Sequence, residues 1–414
     1  MKRKMKKKSS FSFFNVARLF GYLLVFALPF QVNVFIGGYS GVFFNPYLSH
    51  FLWVGDLALA CSVLFVGVGV LRGEKFDFRD EFRRPLTLLL GLFVLIYVLS
   101  FLFSVNIGNS AVYFLRAIEG YIVYLLISTG FLNVKKVMEV FVGVMVAQAV
   151  IGILQFCLQG SVGLWLLGES FIGPDVLNVA KFSVFGENVM RAYGTFPHPN
   201  VFGGFLVVAI FLSLYLRNEQ KRLFSVLLIF LGVGLILTFS RSAMLALVIG
   251  LVGMHFLSNK KVSLKYFVGI LFGLAMIAFL FLLKGDAGSL SDRVMYLSTS
   301  ANMFIDNFFG VGAGNFTYVM QHYSNSQLMP WLFQPVHNIF LLALNELGVG
   351  GFLILLFVMA FILKLIFLRG DRITSLIFGL WLALVIIGLF DHYQISLYQG
   401  QMLLWLLFGM ASRI

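Results

Sequence analysis

Apolar runs of about 17–25 residues recur along the whole chain, and each is long enough to cross the hydrocarbon core of a bilayer as a helix. In these 414 residues 60% are apolar and only 11% are charged, too little polar surface to clothe so many runs as a water-soluble globule. The pattern predicts an all-α, polytopic integral membrane protein: one membrane domain over 1–414, with about twelve transmembrane helices. Most of the lysines and arginines behind the formal net charge of +13 sit in short loops between apolar runs, such as Arg72–Pro85, Arg217–Arg222 and Arg369–Arg372. Topology therefore accounts for the basic balance, and nucleic acid is not expected as a partner. Basic and non-basic connections alternate, which predicts both termini in the cytoplasm. The basic start, MKRKMKKKSSFSFF, lacks a small-residue cleavage site after the apolar run and reads as the lead of an uncleaved first span. Cys61 and Cys157 each fall inside an apolar run, so no disulfide framework or zinc spacing is present.

The first span is expected from Val16 to Ile36, the second from Phe51 to Leu71, the ninth from Tyr266 to Leu283 and the eleventh up to Phe390. The tenth begins at His337 and stays apolar to Phe367, longer than a bilayer core, so it tilts, protrudes or bends at Gly348, Gly350 and Gly351. Two connections on the outer side are long, 159–200 and 284–336. The second holds a glycine turn, GVGAG, and is expected to form short surface helices.

The densest polar patch is Arg191–Phe205, RAYGTFPHPNVFGGF, which ends the first long loop. Pro197 and Pro199 hold the chain extended around His198, and Asn200 is expected to cap a helix starting at Val201. On the predicted topology His50, His198, His322, His337 and His392 fall outside, as do Arg191, Arg241 and Arg293. An arginine near a membrane boundary is costly unless paired, so these point to an anionic partner, with a structural ion pair or a snorkelling side chain as the alternative for each. Arg116 has a ready structural partner in Glu119, one helical turn away. The sixth, eighth and tenth spans begin on the outer side, at Asn200, Ser242 and His337–Asn338. Their amino-terminal N–H groups and positive partial charge suit a phosphate. The outer carboxylates are scattered, with no His-Glu-x-x-His spacing, so no metal and no cofactor is expected.

Four segments in order, RAYGTFPHPNVFGGF, then LTFSRSAMLAL, DRVMYLSTSANMFIDNFFGVGAGNF and PVHNIFLLALNELGVGGF, resemble the O-antigen ligase and polymerase superfamily of bacterial envelope glycosyltransferases. The resemblance is densest over Arg191–Phe352. It implies transfer of a glycan from an undecaprenyl-pyrophosphate carrier to a hydroxyl of a glycan, glycolipid or protein acceptor, at the outer face of the bacterial cytoplasmic membrane and among its lipids. Arg191 and Arg241 match the family's essential arginines and would hold the two phosphates. His337 matches its histidine and would orient or deprotonate the acceptor, although a plain helix-capping role fits its position too. Arg293 and His198 are further candidates for phosphate contact and loop support. Tyr193, Asn200, Asn315, His322 and Asn338 could touch sugars or brace the site, and Asp391 with His392 could form a structural pair. A polymerase of lipid-linked repeat units shares these motifs. An exporter or flippase is the rival from another class, for which Glu346 and Glu119 are the deep carboxylates to watch.

Overall fold

The computed structural model describes residues 12–38, 44–184, 187–258, 273, 287–325, 327–369 and 372–413. They form a mostly helical protein. Helix α1 (Phe13–Ala27) is followed by a hairpin of β1 (Asn33–Gly38) and β2 (Ser49–Trp53). Then come α2 (Val54–Leu71), α3 (Pro85–Leu99), α4 (Ile107–Ser128) and α5 (Val134–Leu158). A second hairpin, β3 (Lys181–Val184) with β4 (Glu187–Met190), precedes α6 (Pro199–Leu216), α7 (Lys221–Leu237) and α8 (Arg241–Leu257). After these lie α9 (Ala287–Asp306), α10 (Phe316–Tyr323), α11 (Ile339–Arg369), α12 (Arg372–Phe390), the single turn α13 (Tyr393–Ser396) and α14 (Tyr398–Ala411).

Seven of the described helices are long and apolar enough to cross a membrane, and α1 and α8 are apolar but shorter. Their outward faces are oily: on α2, Leu57, Leu64 and Leu71 repeat every seventh residue and all stand exposed. Such a surface suits lipid, where every backbone polar group must be paired within the helix. Helix α6 is the opposite case, buried nearly throughout and packed between α5, α7, α8 and α12. The bundle is therefore built around the helix that follows the polar patch.

Several expectations need correction. The first helix stops at Ala27, just before Pro29, and the apolar residues Val34, Phe35 and Ile36 belong to strand β1. Proline cannot continue a helix interior, and hydropathy does not distinguish an apolar strand from an apolar helix. Phe51 likewise lies in β2, so the second helix begins at Val54. The second long connection holds the 20-residue α9 as well as short pieces. The expected ninth span, apart from residue 273, and the first eleven residues lie outside the described residues.

The bend expected in the tenth span is at Gly348, whose φ of 69° and ψ of −174° interrupt α11. The GVGAG turn is seated in this break. Val311 N–H donates to Asn345 O at 2.9 Å, Val349 N–H donates to Phe308 O at 3.2 Å, and the Glu346 carboxylate accepts from Gly314 N–H at 2.9 Å and Phe316 N–H at 3.2 Å. A Cβ on Gly348 would sit 2.4 Å from the Phe309 carbonyl carbon. Gly348→Ala therefore combines left-handed strain with a backbone clash, and should destabilise the protein by about 1–3 kcal/mol or more, read as a lowered unfolding temperature in detergent. An unchanged unfolding temperature would contradict this seating.

Candidate functional site

Arg191 follows β4, and its segment is stitched to the α7–α8 corner by Ala192 N–H donating to Leu237 O at 2.9 Å. Two glutamines of α5, polar residues inside an apolar run, brace it from behind. Gln148 exchanges hydrogen bonds with Thr195, and Gln155 Nε2 donates to Gly194 O at 2.7 Å. The Arg191 guanidinium is buried; its Nε donates to Thr238 O at 2.6 Å and its Nη2 to Asn200 Oδ1 at 2.8 Å.

Helix α6 starts one step earlier than expected. His198, not Asn200, is the cap: its Nδ1 accepts from Asn200 N–H at 3.1 Å, and Pro199 takes the first helical position, where its missing N–H and fixed φ are at no disadvantage. The Asn200 side chain is thereby available to link Arg191 to Asp391, donating through Nδ2 to Asp391 Oδ2 at 3.4 Å. Arg241 opens α8 after Ser240, whose Oγ accepts from Ala243 N–H, and the turn is made by Phe239 at φ 48°. The Phe239 ring stacks on Phe182, with ring centroids 3.8 Å apart. His337 stands two residues ahead of α11.

These pieces meet. Arg191, Arg241, Arg293, His198, Asn200 and His337 line one cavity of about 540 Å³ at the end of the bundle where α6, α8 and α11 begin and α12 ends. Its charged lining is Lys181, Arg191, Arg241 and Arg293 against Asp292 and Asp391, an excess of positive charge. No carboxylate forms a salt bridge with Arg191 among the described residues. Burial, with the nearby Arg241 charge, pushes the Arg191 pKa down to about 10, partly opposed by Tyr193 and Asp391. It stays cationic at neutral pH. The His337 ring lies edge-on to His392, centroids 4.9 Å apart, and 5.3 Å from Tyr296. Its buried Nδ1 has no hydrogen-bond partner among the described residues. Burial holds the His337 pKa below the ordinary imidazole value, aided by the Arg293 charge and opposed by Asp391 and Asp292. His392 is held lower still by burial and by His337. The cavity thus puts neutral imidazole beside fixed cations.

The other sequence candidates lie elsewhere. Tyr193 is buried behind the wall, its hydroxyl accepting from Ala180 N–H at 2.6 Å, with its ring 6.3 Å from that of His198. Asn315 is buried in a network with Ser104, Asn109 and Ser110 that ties the GVGAG turn to the start of α4. Asn338 caps α11 by accepting from Phe340 and Leu341 N–H, and His322 is exposed on α10. None of these four lines the cavity. Asp391 and His392 are not a side-chain pair: Asp391 Oδ1 accepts from the His392 backbone N–H, while the His392 ring reaches Ser396 Oγ at 2.6 Å. Both line the cavity, as do Lys181, Tyr47 and Tyr296. Sequence reasoning missed these roles; the only available signal was the shared outer placement of His392 and His337. Arg116 pairs with Glu119 at 2.6 Å as expected, and also with Asp56 at 2.5 Å. Among the described residues no group of three His, Cys, Asp or Glu side chains is arranged to hold a metal.

Residues 224–356 match the family model Wzy_C, described as O-antigen ligase. That segment contains Arg241, Arg293 and His337, while Arg191, His198 and Asn200 precede it and Asp391 and His392 follow it. No curated protein matches the chain.

Because desolvation favours the uncharged ring, His337 should remain neutral as pH falls past 6.5 and protonate only below it. Imidazole NMR of selectively labelled protein would read this directly; a midpoint at or above 6.5 would contradict the geometry.

Proposed function

We propose that this chain, a member of the O-antigen ligase superfamily, transfers a glycan from an undecaprenyl-pyrophosphate carrier to an acceptor hydroxyl at the outer face of the bacterial cytoplasmic membrane. The observation that carries the reading is the single cavity that arginines from three separate segments share with His337, an imidazole whose buried Nδ1 has no hydrogen-bond partner among the described residues. Arg191 and Arg241 hold the diphosphate, with Arg293 as a further contact, and neutralise the charge that grows as the glycosidic C–O bond to phosphate breaks. Charge-assisted bonds to a fixed cradle make the pyrophosphate a competent leaving group without a general acid. His337 accepts the proton of the acceptor hydroxyl as its oxygen bonds to the anomeric carbon from the opposite side, so configuration inverts. His198 and Asn200 hold the wall: one starts α6, the other fixes Arg191 in place.

Ligation to a separate acceptor is placed ahead of polymerisation, which needs the same cradle with a second lipid-linked unit as acceptor. Export fits less well. Glu346 is occupied by two backbone N–H groups and Glu119 by Arg116, so neither deep carboxylate stands ready as a coupling group.

Arg191→Ala and Arg241→Ala should each lower transfer by at least ~10²-fold, and His337→Ala by ~10²–10⁴-fold, with protein retained in the membrane. Product formation from purified protein and lipid-linked oligosaccharide is the measurement. Full activity of Arg241→Ala would remove it from the mechanism, and activity lost in chelator and restored by magnesium would overturn the metal-independent scheme. Since the base is the neutral form of a residue whose pKa is depressed by burial, the acid limb of kcat/KM should fall below pH 6.5 and disappear in His337→Ala.

A further inference from the structure

A second cavity of about 330 Å³ abuts the arginine cavity; the two share Pro46, Tyr47, Pro197 and Leu397 in their walls. Its chemistry is different. Among the described residues the one lysine or arginine lining it is Arg116, which is held by Asp56 and Glu119, so these residues offer no surplus cation to a phosphate. One wall is aromatic: Phe51 and Trp53 from β2, with Trp53 stacked on Tyr398 at a centroid distance of 4.9 Å and an interplanar angle of 6°. The start of α14, whose first residue is Tyr398, also brings Gln399 and Gln401 to the lining. Gln399 is 1% exposed and its Nε2 has no hydrogen-bond partner among the described residues; Gln401 is 8% exposed and its Oε1 has none either. A buried donor and a buried acceptor left unsatisfied, beside flat rings, call for a ligand that is uncharged, hydroxyl-rich and has an apolar face.

We infer that this cavity is a glycan subsite. It takes a sugar ring of the donor or of the acceptor, stacked on the Phe51–Trp53 wall and hydrogen-bonded by Gln399 and Gln401, while the neighbouring cavity takes the diphosphate. The inference rests on the glycan-transfer reading of that neighbouring cavity. The shared wall joins the two sites where His392, edge-on to Tyr47 at 5.3 Å, also touches His337, so a ring held here lies next to the imidazole that meets the acceptor hydroxyl.

The test uses the full-length protein in nanodiscs and two probes: inorganic pyrophosphate, and the oligosaccharide freed by mild acid from the cell's own lipid-linked donor. Gln399→Leu, which removes an unpartnered donor and should fold, is expected to weaken oligosaccharide binding at least tenfold and leave pyrophosphate binding unchanged. Arg241→Ala should do the reverse. Trp53→Ala, accepted only if monodisperse, should repeat the Gln399→Leu result. In turnover assays a tenfold rise of KM for donor alone identifies the donor glycan as occupant, and for acceptor alone the acceptor. The subsite is overturned if the oligosaccharide does not bind wild-type protein or binds both variants as well as wild type. If pyrophosphate fails to bind while the oligosaccharide behaves as expected, the subsite stands and the reading of the arginine cavity falls.

Discussion

A guanidinium buried without a carboxylate against it governs this end of the molecule. Arg191 directly follows the second hairpin, and among the described residues its side chain bonds only to a backbone carbonyl and an amide oxygen, both neutral. Burying a charge is costly unless it is paired and hydrogen-bonded, and removing it from water lowers its pKa, as it does here. The surroundings over-determine its position: Thr238 from the α7–α8 corner, Asn200 from the first turn of α6, and behind them Gln148 and Gln155 gripping Gly194 and Thr195. An anion arriving beside Arg191 and Arg241 would complete a charge balance that the lining carboxylates leave short. Such preorganisation is how a site stabilises developing negative charge without moving at the moment of reaction.

The same economy operates at the other long connection. The break at Gly348 frees backbone groups of α11, and the GVGAG turn pairs with them, while Glu346 caps the turn from below. That seating fixes the carboxyl end of α9 and the start of α10, and α9 carries Arg293 and Tyr296 to the cavity wall. His337, at the head of the broken helix, is thus positioned by two structures that meet there: the cap at Asn338 and the ring of His392. Through α9, whose Tyr296 ring lies against His337, a glycine deep in an apolar helix so bears on an imidazole about three turns away.

Much of this was legible in the sequence because it rests on local rules. Apolar runs gave the class, Gly348 the bend, and the arginines and His337 fell together once the helices were placed end to end. Misreadings arose where two local rules competed. Asn200 is a good cap by residue type, yet Pro199 prefers the first helical position, which moves the cap back to His198. Pro29 outweighed the apolarity of Val34, Phe35 and Ile36. What sequence could not supply was long-range: that Lys181 in the second hairpin, Tyr47 just before β2 of the first, and Asp391 with His392 at the end of α12 close the cavity. Nor did it separate Asn315, polar and directly after the GVGAG turn, as a structural rivet from the residues that line the site.

The proposed function requires one cationic cavity to grip the diphosphate of a lipid carrier beside a neutral histidine. Cryo-electron microscopy of the protein bound to undecaprenyl pyrophosphate tests it most directly. Both phosphates are expected within hydrogen-bonding distance of Arg191 and Arg241, with the His337 ring open to the space beyond them. Density for the diphosphate anywhere else on the bundle, with this cavity occupied only by solvent, would contradict it.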